Sequence, residues 1–149
     1  MRKAFSLAEL LIVVAIIGIL AALTMPYVQN HAEQARESAA KDNLRVFRET
    51  IQFYAVRHND LAPGYPGNDP SVAPTGDTFR LQMVVQESYL RKMPRNPFND
   101  LDTLHIVGNA DAFPAEGTGD HGWIYKPATH IIRIDWPGKD SAGIAFSTY

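Results

Sequence analysis

Polar side chains disappear from the sequence between Leu10 and Leu23, and past Pro26 they return in a helical rhythm. Apolar or small residues then recur at Val28, Ala32, Ala35, Ala39, Leu44, Phe47, Ile51, Tyr54 and His58, three to five apart, which is the spacing of one helix face. Glu33, Arg36, Glu37, Lys41, Arg45, Arg48 and Gln52 fill the opposite face, with Glu37 and Lys41 forming an acid-before-base pair one turn apart. The pattern predicts a single helix over Phe5–His58, about 80 Å long at 1.5 Å per residue. A chain of 149 residues cannot bury such a rod. Its first half must therefore lie in lipid or against other copies, while Leu44, Phe47, Ile51 and Tyr54 face a compact head. Four prolines and three glycines between Asn59 and Asp77 end the helix in a long loop. A short helix is expected over Thr78–Lys92, closed by Met93-Pro-Arg-Asn-Pro-Phe-Asn-Asp. Strands follow at Leu104–Val107, Gly122–Lys126 and His130–Trp136, with Gly143–Tyr149 as a further edge. In the last strand Ile132, Ile134 and Trp136 should face the helix and Arg133 and Asp135 should point outward. The fold class is α+β: a long N-terminal helix, the hydrophobic stem, packed on a small antiparallel β-sheet head.

Residues 5–28 make about 36 Å of helix against a hydrocarbon core of about 30 Å, so this segment is expected to be a transmembrane helix. Twelve Leu, Ile, Val and Phe residues between Phe5 and Met25 favour insertion by roughly 4–7 kcal/mol in total. One carboxylate, Glu9, opposes it by about 3 kcal/mol at mid-membrane and less near an end. Arg2 and Lys3 place the N-terminus in the cytoplasm and the body outside. An ordinary secretory signal fits less well, because no Ala-x-Ala site follows the apolar run and Glu9 interrupts its start.

Phe5-Ser-Leu-Ala-Glu9-Leu-Leu-Ile-Val-Val-Ala-Ile-Ile-Gly18-Ile-Leu-Ala-Ala resembles the N-terminal signature of type IV pilins and of type II secretion pseudopilins. The resemblance covers about 22 residues and implies a ladle-shaped pilin fold. It also implies a leader, Met1–Ala4, removed by a membrane-embedded prepilin peptidase, followed by N-methylation of Phe5. The residue before the cut is usually glycine; Ala4 is small enough for cleavage to be expected here. Gly18 and Pro26 match positions where helices of this family loosen in assembled filaments. The loop over 59–77 matches the variable loop that carries subunit contacts, and the Pro94 and Pro97 pair resembles a turn of major pseudopilins. The implied organisation is a leader at 1–4, a transmembrane and filament-core helix at 5–28, and a periplasmic or extracellular head at 29–149. Within that head, helix continues over 29–58, the loop covers 59–77, the short helix 78–92 and the β region 104–149.

Ser6 and Glu9 have the spacing of a capping box, which satisfies free amides of the first turn. Cleavage after Ala4 would add a cationic amine one turn from Glu9. The resemblance implies that Glu9 pairs with the Phe5 amine of a neighbouring subunit, since each charge is costly alone in an apolar medium. Capping and pairing are compatible. Without the leader the formal charge is 12 − 16 = −4, which argues against a general nucleic-acid binder. Lys41, Arg45 and Arg48 could line a DNA-binding face; salt links or a solvated face are the expected alternative. Cysteine is absent, so no disulfide supports the head, and His31, His58, His105, His121 and His130 lack zinc-like spacing. The resemblance raises calcium near Asp135 and Asp140, with Ser141 beside them, although Lys139 in that loop favours a solvated turn. No nucleophile, phosphate-loop or nucleotide motif is present, so no enzyme and no cofactor are expected. The expected function is that of a filament subunit, stored in the bacterial inner membrane and assembled through a membrane platform with copies of itself and other pilins or pseudopilins. A type II secretion pseudopilin is expected first. A type IV pilin for adhesion, twitching or DNA uptake is the alternative.

Overall fold

The computed structural model describes residues 6–149, without the side chains of 24–30. The chain divides into two compact units, residues 1–35 and 36–149. In the first unit the described backbone is helical from Leu7, the start of α1 (Leu7–Arg57). Its apolar side chains from Leu7 to Leu23 are all exposed. Among the described residues no helix is long and apolar enough to cross a membrane; of the expected span over 5–28, Phe5 and the side chains of 24–28 lie outside what the structure describes.

The second unit builds its core on the remainder of α1. Ala40, Leu44, Phe47, Ile51, Tyr54 and Ala55 are buried along one face, as the three-to-four spacing requires. The helix ends where Asn59 and Asp60 take left-handed backbone conformations, at φ 55° and 65°, and the Asp60 amide donates back to the Ala55 carbonyl at 2.8 Å. The following loop is fastened from inside. Buried Gln82 donates Nε2 to the Tyr65 carbonyl at 3.0 Å and to Asn68 Oδ1 at 2.8 Å, and its Oε1 accepts from the Gly64 amide at 2.6 Å. Tyr54 on α1 donates to the same Asn68 oxygen at 2.7 Å.

Gln82 belongs to the second helix, α2 (Gly76–Arg80), which continues as a π-helical turn over Leu81–Gln86. Thr75 caps it by accepting from the Thr78 amide at 3.1 Å. It therefore starts and stops earlier than the 78–92 expected from composition, and Ser88 beyond it has φ 54°. Phe79, Gln82 and Met83 are its buried residues, while Leu81 and Val85 are exposed.

Three short strands, β1 (Leu104–Ile106), β2 (Trp123–Lys126) and β3 (Ile131–Ile134), form a sheet in the order β1-β2-β3. The β2–β3 hairpin is antiparallel, and its turn at Pro127–Thr129 closes on left-handed His130. β1 instead pairs parallel to β2, with Leu104 opposite Trp123. The sheet is thus mixed, not antiparallel throughout. Residues 107–122 give the crossover of about a dozen or more residues that a parallel pair needs, a pairing that strand pattern alone does not specify. Trp123, Tyr125, Ile132 and Ile134 enter the core. There Trp123 packs edge-on against Phe47 at 5.2 Å and Tyr125 against Phe79 at 5.0 Å.

The segment around Pro94 and Pro97 braces this sheet. Asn96, fully buried, donates to the Gly122 carbonyl at 2.9 Å and accepts from the Phe98 amide at 3.0 Å. Asn99 donates to the carbonyls of Gly119 and His121 at 2.9 and 2.8 Å. At Gly122 a Cβ would lie 2.3 Å from the Leu101 carbonyl oxygen, so the backbones meet where only glycine fits.

Three expectations are corrected here. Asp135 does not point outward: it is 2 % exposed. Its carboxylate accepts from the amides of Thr118, Gly119 and His121 at 2.6, 3.2 and 3.0 Å, which lets a charge stand where alternation would place a solvated one. Glu37 and Lys41, assigned to the wet face as a mutual pair, each reach the C-terminal segment instead. Glu37, buried, accepts from the Ser141 amide at 2.9 Å and hydroxyl at 2.7 Å. Lys41 donates to Asp140 Oδ2 at 3.0 Å and lies 4.5 Å from the centre of the Tyr149 ring. Asp140 also accepts from the Tyr149 hydroxyl and from the amides of Ala142 and Ile144, at 2.9 and 2.8 Å. Gly143–Tyr149 is consequently no strand; it carries a 3-10 turn at Phe146–Thr148 and one bridge between Lys139 and Ala145.

This clasp responds to pH from both sides. The Tyr149 hydroxyl first, then the Ile144 amide and Lys41, hold the Asp140 carboxyl well below the usual carboxylate range, and Tyr149 and Asp140 raise the Lys41 ammonium. The stability Asp140 contributes is present above about pH 4 and is lost as pH falls through its depressed folded value. That of Lys41 is lost as pH rises above about 10 through its raised one. Asp140→Asn should lower the melting temperature of the detergent-solubilised chain at pH 7 and flatten its acid limb, and Lys41→Met should flatten the alkaline limb. Gly122→Ala should destabilise by about 1–3 kcal/mol through overpacking, read in the same melts.

Candidate functional site

The first turn of α1 carries the charged group of the apolar segment. Glu9 Oε2 accepts from the Ser6 amide at 2.8 Å and Ser6 Oγ accepts from the Glu9 amide at 3.2 Å. This reciprocal pair is the capping box expected from the spacing, and it orders the start of the helix. A carboxylate has about four lone-pair positions, so the single cap bond leaves Glu9 able to accept a second donor. Ala4 and Phe5, the expected processing residues, lie outside the described residues.

Beyond the cap, Leu7, Leu10, Leu11, Ile12, Val13, Val14, Ile16, Ile17, Ile19, Leu20 and Leu23 are all large, apolar and exposed. Burying one such side chain is worth about 1.5–3 kcal/mol, so eleven together define a surface that an aqueous monomer cannot tolerate. They occupy every side of the helix, which suits a rod surrounded by apolar neighbours. Gly18 sits among them with open space where a Cβ would project. The side chain of Pro26 lies outside the described residues.

The residues raised for calcium are not gathered. Asp135 is enclosed by the 118–121 amides, Asp140 by Lys41 and the C-terminal turn, and Ser141 is bound to Glu37. Calcium takes six to eight oxygen ligands, and here each of these side chains is engaged by groups of the chain itself. Among the described residues no group of three or more His, Cys, Asp or Glu is placed to hold a metal. His105 and His121 come nearest, with ring centres 5.4 Å apart at a cavity of about 230 Å³ on the sheet. His58 stacks on Tyr54 at 3.8 Å and contacts its carbonyl at 2.9 Å, which is a packing role. The suggested basic face also disperses: Lys41 serves the clasp, Arg48 donates to the Ile132 carbonyl at 3.4 Å, and Arg45 lies 3.9 Å from Asp42.

Reading the sequence missed Glu37 and Lys41 as anchors and Asn96 and Gln82 as internal braces. For the first two no local signal exists, because their partners lie 104 and 99 positions away. For Asn96 the clue was an amide between two prolines in a segment otherwise read only as a break.

Residues 1–25 match the family model described as the prokaryotic N-terminal methylation motif. The chain is 29 % identical over 122 residues to the type II secretion system core protein G of Pseudomonas aeruginosa, covering 81 % of this chain and 85 % of that one. It is 27 % identical to the prepilin peptidase-dependent protein D of Escherichia coli, covering 82 % and 80 %. To the type IV major fimbrial protein FimA of Dichelobacter nodosus it is 42 % identical, over 46 % of this chain and 40 % of that one. No solved structure matches. A processing motif at the head of an apolar helix, an α+β body behind it, and similarity to relatives of both kinds together make the chain resemble type IV pilins and type II secretion pseudopilins.

Proposed function

We propose that the chain is a structural subunit of a helical filament, of the type II secretion pseudopilin kind, that serves protein export. The observation that carries this reading is the exposed apolar helix headed by a capped glutamate, which is stable only among apolar neighbours. The likeness to core protein G supports the pseudopilin kind, because it extends over 85 % of that protein and so includes the head. A surface type IV pilin is the second reading, favoured by the comparably long alignment with prepilin peptidase-dependent protein D.

In this reading prepilin peptidase removes Met1–Ala4, Phe5 is methylated, and residues 5–28 hold the precursor in the inner membrane with the head outside. An assembly platform then feeds copies into the fibre, where Gly18 and Pro26 let the helix loosen. Glu9 receives the Phe5 amine of the adjacent copy. The role is structural, not enzymatic. This reading calls for no cofactor.

Three measurements test this. The intact mass of membrane-extracted protein should lack Met1–Ala4 and carry one added methyl group; a chain retaining Met1 in assembled material would overturn the processing step. Glu9→Leu should still insert but should lower the fraction recovered in sheared filaments a hundredfold or more, since breaking a buried ion pair costs about 3–5 kcal/mol. Glu9→Gln, which can still cap, should fail as well, and normal assembly by it would remove the charge-pairing role. Adding EDTA should leave the melting temperature unchanged, whereas a fall would restore calcium.

A further inference from the structure

Strand alternation sends Trp123 and Tyr125 of β2 into the core and leaves Ile124 on the opposite face of the sheet. His105 of β1 is level with Ile124 in the register and shares that outer face. His121, just before β2, meets it there, with the ring centres 5.4 Å apart and the planes tilted by 54°. Sixteen positions separate the two in the sequence, so no local spacing announces the pair. Both rings line a cavity of about 230 Å³, and the charged side chains of its wall, Glu116, Asp120 and Asp135, are all acidic.

His121 is anchored at this place. Its backbone amide donates to Asp135 Oδ2 at 3.0 Å. Its Nδ1 lies 3.7 Å from the same oxygen, on a carboxylate whose side chain is 2 % exposed, and is buried without a hydrogen-bond partner. A buried polar atom left unpaired calls for an explanation. An ion at Nε2 would give one. It obliges Nδ1 to carry the ring proton, aimed at Asp135, and metal-bound imidazoles hand their other N–H to a carboxylate in just this way. Two imidazoles on one tetrahedral ion, with nitrogen-to-metal distances of about 2.0–2.1 Å, hold their ring centres about 5 Å apart. The separation of 5.4 Å already meets that spacing.

We propose that His105 and His121 form a binding site for a divalent transition-metal ion of the zinc type, with Asp135 as the outer partner that orients His121. Imidazole suits zinc, nickel and copper, whereas calcium and magnesium take oxygen. No third His, Cys, Asp or Glu among the described residues is placed to complete the set. Water therefore fills the remaining positions, and the acids of the wall contribute their field. Two protein ligands hold an ion loosely, so the site fills when zinc is supplied, and a chelator leaves the purified chain as it was. A bound ion ties β1 to the entry of β2 across the 107–122 crossover, and metal binding to a folded site adds to the stability of that fold. The site lies within the 36–149 unit and does not depend on the filament reading.

The test uses the full-length, detergent-solubilised chain, stripped with EDTA, desalted and titrated with zinc chloride. Calorimetry should show one zinc per chain. Zinc at about a hundred times its dissociation constant should raise the melting temperature by about 5–10 °C, and calcium chloride at the same concentration should not shift it. His105→Gln and His121→Gln should each weaken zinc binding about tenfold or more, at least the loss typical of an outer-shell partner. Without metal both should melt within about 2 °C of the parent; if His121→Gln fails to fold, His105→Gln decides. His130→Asn, which removes a histidine from the turn after β2, should bind zinc as the parent does. Copper(II) in place of zinc should show coupling to two imidazole nitrogens by electron paramagnetic resonance. No zinc uptake, equal affinity in His105→Gln, or loss of binding in His130→Asn would each overturn the site, and none of these results touches the filament reading.

Discussion

A helix that is apolar on every side has no stable surroundings in water, and that constraint shapes the whole molecule. The large apolar side chains from Leu7 to Leu23 are all exposed in the described structure. In the proposed function their cover comes from lipid or from other copies. Either medium makes an isolated charge costly, which is why one carboxylate at Glu9 carries more information than the many apolar residues around it. The apolar residues specify where the segment can reside; the charge specifies what it must meet there.

The second unit must hold its shape without disulfides while attached to that segment. It does so by closing its C-terminal end onto its own stretch of α1, through Glu37 to Ser141 and Lys41 to Asp140. The Lys41–Asp140 contact is charge-assisted and joined by the Tyr149 hydroxyl, so Lys41 and Tyr149 together satisfy a carboxylate that has little access to water. Asp135 is treated differently, by backbone amides of a turn. Two acids five residues apart are thus satisfied by unrelated means, and for that reason they do not assemble into one oxygen cage.

What the sequence reveals follows the range over which each signal acts. The buried stripe at Leu44, Phe47, Ile51 and Tyr54 is legible because helical periodicity is a local property, and the Ser6–Glu9 box is legible for the same reason. The hairpin of β2 and β3 is announced by its turn. By contrast, the parallel placement of β1 depends on how residues 107–122 cross the sheet, and the roles of Glu37 and Lys41 depend on partners at the far end of the chain. A charged residue at an exposed helix position looks the same in sequence whether it meets water or a distant loop.

The cap at Glu9 has a consequence for the pairing proposed there. Folding fixes the Glu9 carboxylate through the Ser6 amide before any partner arrives, so less side-chain freedom remains to be lost when a second donor binds. A glutamate free to rotate would meet an incoming amine more weakly and in several geometries, giving several registers. Under the proposed pairing, the serine at position 6 would act on assembly indirectly, by presenting the acid in one orientation, and the helix cap and the charge contact would be successive uses of the same carboxylate.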